Sequence, residues 1–150
     1  MTVFDHQALA HRFAAAMNAG DKALFKALVT EDFVTEWPQS GERVRGLANF
    51  EAILDNYPGG QGGRGHDLET LRARPSDAVK LVAPSYTFVA VEGGGNTGTI
   101  TLKAKYPDGS DWWVVSLYHL RDGRIAQTTS FFAPVYPAPE WRRQWVEPMS

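Results

Sequence analysis

The sequence predicts an α+β domain in which three N-terminal helices lie on one face of an antiparallel sheet. Three observations carry that reading. Apolar residues at helical spacing mark three segments within the first 57 residues. From residue 86 onward the pattern switches to strand alternation, in four runs separated by tight-turn residues. One of those runs, 112–120, is largely apolar on both parities, so the sheet carries two faces that avoid water.

The first helix is expected over 5–19. Leu9, Phe13 and Met17 recur at i, i+4 and i+8, and Ala10, Ala14 and Ala16 widen the stripe. Asp5 is placed to cap its start and Gly20 to end it. Asp21 then offers a fresh N-cap for a short helix with Leu24, Phe25 and Leu28 inward. The period changes at Asp32: Phe33, Thr35 and Trp37 alternate with Val34 and Glu36, and Pro38 ends the run before a turn at Gln39-Ser40-Gly41. A third helix is predicted from Leu47 to Tyr57, with Phe50, Ile53, Leu54 and Tyr57 on one face and Pro58-Gly59 as its stop.

Residues 58–65 hold five glycines, too many to order inside an element, and read as a loop. Gly60, Gly62 and Gly65 match G-x-G-x-x-G, but a helix and Pro58 precede them where the dinucleotide motif requires a strand, so the match carries no cofactor reading. Strands are expected over 86–91, 97–106, 112–120 and 125–132, with Asp122-Gly123 as a tight hairpin turn. From about 133 the chain holds four prolines and reads as an extended tail, in which Trp141 and Trp145 at i, i+4 suggest a short docked helix. The whole chain, 1–150, reads as one domain.

Composition excludes several classes. A net charge of −2 with scattered basic residues gives no footprint for nucleic acid. No apolar run approaches the roughly 18 residues of a membrane span, and the N-terminus has no signal-peptide pattern. With no cysteine there are no disulfides, thiolate metal sites or cysteine nucleophile, and a cytoplasmic location is expected. The histidines His6, His11, His66 and His119 show no metal-ligand spacing, and no serine sits in a nucleophile elbow, so neither a metal nor a cofactor is expected. The two apolar faces of 112–120 predict a homodimer through the sheet's outer surface, the face that would hold His119.

Several segments carry a family resemblance. Met17-Asn18-Ala19-Gly20-Asp21, Glu36-Trp37-Pro38-Gln39-Ser40-Gly41-Glu42 with Arg45-Gly46, and the hairpin Leu117 to Ile125 resemble the nuclear-transport-factor-2-like superfamily, and within it an uncharacterised SnoaL-like subgroup related to polyketide cyclases and ketosteroid isomerases. The resemblance implies a cone-shaped, curved antiparallel sheet wrapped around the three helices, with a small-molecule pocket between them. It does not imply one chemistry, because function in such folds lives in the site. Carried over residue by residue, the ketosteroid isomerase base falls on Trp37 and its two oxyanion donors on Phe13 and Tyr118. None of these three keeps the family's group, so that mechanism is not expected.

The candidate site follows from parity and from that transfer. Tyr118 is the candidate hydrogen-bond donor to a carbonyl or oxyanion, with Ser130 assisting; the competing reading is a core tyrosine whose hydroxyl is satisfied within the protein. Phe13, Met17, Trp37, Tyr57, Ser116, Thr128 and Phe132 are the candidate ligand-binding residues, against plain core packing for Trp37 and hydroxyls that satisfy each other across strands. Glu36 faces the opposite way and reads as a surface or interface charge, and Arg45 is expected to pair with Glu42 or Glu36. The first reading is a cofactor-independent cyclase, isomerase, dehydratase or hydrolase on a small apolar molecule, favoured because the inner faces keep hydroxyls that a simple core would not need; the alternatives are a non-catalytic carrier of a hydrophobic metabolite and a dimeric assembly domain whose pocket the tail tryptophans fill.

Overall fold

The computed structural model describes residues 3–56, 85–106 and 109–149. Helix α1 (His6–Ala19) starts at an Asp5 side chain that accepts the Ala8 N–H, and ends at Gly20 in the left-handed region, φ +60°. Helix α2 (Lys22–Leu28) is capped by Asp21, whose carboxylate accepts from the N–H groups of Ala23 and Leu24. Strand β1 (Val29–Trp37) begins three residues earlier than its alternation suggests. Strand β2 (Glu42–Arg45) was not expected, because four residues reading Glu-Arg-Val-Arg give one apolar position and no period. Helix α3 (Leu47–Asp55) is followed by β3 (Ser85–Gly94), β4 (Thr97–Lys105), β5 (Asp111–Arg121) and β6 (Arg124–Pro134). The turn between β5 and β6 uses Asp122 and Gly123 at φ 52° and 74°, the positive-φ pair of a tight hairpin.

The six strands form one sheet in the order β2-β1-β6-β5-β4-β3. All neighbours are antiparallel except β1 and β6, which run parallel with Thr35 opposite Thr128. That one parallel pair is invisible in local periodicity, since it joins the first strand to the last. The α+β architecture with helices at the N-terminus is as the sequence predicts.

The helices lie on the face formed by Ile100, Leu102 and Ala104 of β4, Val114, Ser116, Tyr118 and Leu120 of β5, and Ile125, Thr128 and Ser130 of β6, all buried. Leu9, Ala10, Ala14 and Ala16 of α1 and Phe25 and Leu28 of α2 meet them. Leu24 does not turn inward: it is 49% exposed. At 100° per residue it lies about 70° from the centre of the face that Phe25 and Leu28 define, too far round a seven-residue helix to reach the core. Phe25 stacks on Phe50 of α3 at 5.0 Å and 18°, and Phe33 of β1 meets both rings edge-on. Each such pair contributes about 0.5–1.5 kcal/mol beyond its buried area.

Asn18 fastens the far side. Its amide accepts from the Tyr86 N–H and donates to the Tyr86 carbonyl, so one side chain pairs the backbone of edge strand β3 as a further strand would. At the other edge the register sets Glu36 opposite Arg43, and these two form the ion pair at 2.8 Å. The expected partner Arg45 is displaced because it lies across from Val34. Among the described residues no helix is long and apolar enough to cross a membrane.

The tail forms a 3₁₀ helix at Glu140–Trp145, but it does not dock: Trp141 is 74% and Trp145 71% exposed. A 3₁₀ helix turns about 120° per residue, so side chains at i, i+4 diverge instead of sharing a face.

Candidate functional site

Between the helices and the inner face of the sheet lies a cavity of about 790 Å³. Its helical wall is Phe13, Ala16 and Met17 of α1, Phe25 of α2, and Phe50 and Leu54 of α3. Its sheet wall is Phe33, Thr35 and Trp37 of β1, Leu102 of β4, Trp112, Val114 and Ser116 of β5, and Thr128, Ser130 and Phe132 of β6. Tyr86 and Tyr106 extend the aromatic surface, with Tyr106 edge-on to Trp112 at 5.8 Å.

The sequence explains these placements. Phe13 and Met17 carry the i, i+4 edge of the α1 stripe and are partly exposed because they border space instead of sheet. Trp37 lies two residues beyond Thr35, so strand period turns it to the same wall. Gln39, in the turn after Pro38, donates to the Phe132 carbonyl and accepts from the Phe132 N–H. This clamp continues the β1–β6 pairing past the last ladder residue and holds the mouth in shape.

Among the described residues, the buried polar content of the cavity is four hydroxyls. Ser116 and Ser130 are cross-strand partners 2.8 Å apart, and Thr128 donates to Thr35 at 2.7 Å. All four side chains are buried. The charged lining residues Asp21, Lys22, Glu42 and Glu51 sit at the rim, where Lys22 pairs with Asp55 across the gap between α2 and α3 at 2.5 Å. Among the described residues no group of His, Asp and Glu stands close enough together to hold a metal ion.

Of the expected ligand-binding residues, Phe13, Met17, Trp37, Ser116, Thr128 and Phe132 all line this space, as does Ser130. Tyr57 and the glycine-rich loop lie outside the described residues.

Tyr118 sits elsewhere. It is on the inner face, as its parity requires, but it is 1% exposed and absent from the cavity wall. Its hydroxyl meets His6 Nδ1 at 2.6 Å, and His6 Nε2 lies 3.2 Å from the Gly95 carbonyl. A carbonyl only accepts, so Nε2 carries a proton, and in the neutral ring Nδ1 accepts from the Tyr118 hydroxyl. Burial pushes the Tyr118 hydroxyl above its usual range, which keeps it protonated. The tyrosine lies across Gly98 and the imidazole across Gly93, directly paired positions of β4 and β3. A methyl group at 98 would come within 2.2 Å of the Tyr118 oxygen, and one at 93 within 2.6 Å of the His6 ring. The two glycines make the slot this pair fills, and His6 is the residue that sequence reasoning missed. Its signal was the pair of strand glycines opposite an aromatic, not any feature of the histidine itself.

Comparison with known proteins bears on the fold that carries this site. The family described as SnoaL-like domain matches residues 10–128. A protein of unknown function from Burkholderia xenovorans LB400, described as NTF-2 like, shares the fold at TM-score 0.72 and 24% identity, over 96% of this chain and 94% of that one. A candidate ketosteroid isomerase from Kribbella flavida aligns at TM-score 0.70 and 22% identity, over 97% and 90%. An LEH-like epoxide hydrolase from M. tuberculosis aligns at TM-score 0.59 and 17% identity, over 83% and 80%. These likenesses speak to the fold. No curated protein matches the chain.

Proposed function

We propose that this chain, which belongs to the SnoaL-like domain family, binds and holds a small, largely apolar molecule in the cavity between its helices and its sheet. The observation that carries the reading is the contrast inside the cavity. Its walls are aromatic and aliphatic, its buried polar groups are hydroxyls, and its charged residues stand at the rim. A space of this size, mostly apolar with a few convergent polar groups, suits a drug-sized organic molecule.

Two structural neighbours carry the names of an isomerase and a hydrolase, reactions that move protons. General acid–base catalysis needs a group that changes charge near neutral pH within hydrogen-bond reach of the substrate. The donor expected for such a step, Tyr118, is spent on His6 away from the cavity. The assembly reading looked for tail tryptophans inside the cavity, and both stand in solvent. Among the described residues, the apolar walls and buried hydroxyls support holding a ligand first.

The test has two parts. Val114→Trp fills the cavity from the sheet side, and is expected to weaken binding of 2-isopropylnaphthalene at least tenfold. Styrene oxide and 3-cyclohexen-1-one, incubated with the protein for days, are expected back unchanged beyond the buffer rate. Conversion of either compound, abolished by Val114→Trp, would replace the holding reading with an enzymatic one.

The same reading includes a homodimer. The outer face of β5 and β6 presents Trp113, Val115, Leu117 and Phe131, with Leu117 44% and Phe131 40% exposed. Lys103 lies over the Trp113 ring at 5.0 Å at the edge of this strip. A second copy covering that face would remove a contiguous apolar strip from water.

A further inference from the structure

The four cavity hydroxyls carry more information than their polarity. Each hydroxyl has one proton to donate and accepts up to two. Thr128 spends its proton on Thr35, and one serine of the Ser116–Ser130 pair spends its own on the other. Four protons therefore make two bonds. The proton of Thr35 is left over, and so is the proton of whichever serine accepts. Neither has another partner among the described residues. Both pairs line the cavity, so the unused protons have the cavity as their outlet. Buried donors do not stay unpaired at low cost, and an empty site satisfies them with water.

We infer that the cavity selects neutral molecules carrying a hydrogen-bond-accepting oxygen, such as a ketone or an ester, over hydrocarbons and over carboxylates of the same shape, with Thr35 and the Ser116–Ser130 pair as the donors that read the oxygen. The inference rests on the cavity being a ligand site. A hydrocarbon would displace the water and leave both protons unanswered. Among the described residues a carboxylate would find donors but no buried cation, and would pass a rim on which Asp21, Glu42 and Glu51 outnumber Lys22, itself paired with Asp55. The two donor points follow β6, where Thr128 and Ser130 lie two residues apart, roughly 7 Å along the strand. A ligand with a single oxygen engages one of them.

The experiment uses three probes of one shape: 2-acetylnaphthalene, 2-isopropylnaphthalene and 2-naphthoate, titrated by calorimetry into the whole chain. The ketone is expected to bind about tenfold more tightly than the hydrocarbon, the equivalent of one to two hydrogen bonds, and more tightly than the carboxylate. That preference is expected to disappear only when both members of each pair lose the hydroxyl, in Thr35→Val and Thr128→Val combined with Ser116→Ala and Ser130→Ala, because deleting one member frees the proton of the other, and to survive in Ser130→Thr, which keeps a hydroxyl. Thermal unfolding of each variant shows whether it folds, and the Ser130→Thr result stands if the fourfold variant does not. Equal binding of ketone and hydrocarbon would overturn the donor inference while leaving the cavity a ligand site. Tightest binding by the naphthoate would overturn the selection for neutral molecules. No binding by any of the three would overturn both this inference and the ligand-holding reading beneath it.

Discussion

Tyr118 and Gly98 show how much one contact decides. The tyrosine packs so closely over the glycine that Gly98→Ala forces a buried ring to move, and a loss of about 2–3 kcal/mol is expected in chemical denaturation. Tyr118→Phe keeps the ring and removes only the hydrogen bond to His6, for about 1 kcal/mol. It is expected to leave ligand binding unchanged, because the hydroxyl does not reach the cavity wall. The same hydroxyl predicts a pH dependence. Its pKa is raised in the folded state, so its contribution is fully present below the unfolded value near 10 and is lost as pH rises through the folded one. Stability measured against pH should fall above about pH 10, and less steeply in Tyr118→Phe. Parity and the family transfer together placed Tyr118 on the inner face, and with it Thr35, Trp37, Ser116 and Ser130. What parity cannot give is position along the cone, and that coordinate separates a cavity residue from one clasped to His6.

At the scale of elements, the helices were legible from stripe and cap together. Asp5, Gly20 and Asp21 all stand where their chemistry required. Asp21→Ala removes the acceptor for two N–H groups of a seven-residue helix. It should cost about 1 kcal/mol and loosen α2 at the cavity rim. The clamp made by Gln39 could not be read beforehand, because it depends on β1 lying parallel to β6, a pairing across most of the chain. Gln39→Ala is expected to speed hydrogen exchange of the Phe132 amide, while the amides of Ser116 and Val114 keep their protection. Unchanged exchange at Phe132 would mean the ladder end is held by something other than this side chain. The short strand β2 and the undocked tail mark the opposite limit. Four residues are too few to show a period, and a spacing of four means a shared face only if the helix is α.

For the whole molecule, the reading joins two apolar surfaces on opposite sides of one sheet. The outer one is expected to pair two chains, so sedimentation at micromolar concentration should give twice the 16.6 kDa chain mass. Leu117→Lys, placing a charge in the middle of that strip, should give the single mass with little change in fold. A wild-type monomer would remove the dimer from the account without touching the cavity. The inner surface is where the central claim lies. The fold and the inward-facing residues were legible because alternation and helical period both point to them, while a pocket between helices and sheet was only what the family resemblance implied. The ligand was not, because walls of similar aromatic and aliphatic groups suit many molecules. The most direct test is methyl NMR during titration with 2-acetylnaphthalene. The account predicts saturable shifts at Met17, Leu54, Leu102 and Val114, which line the cavity, with Val115 and Leu117 on the outer face unmoved. Shifts that fail to saturate, or that map to Val115 and Leu117, would contradict it.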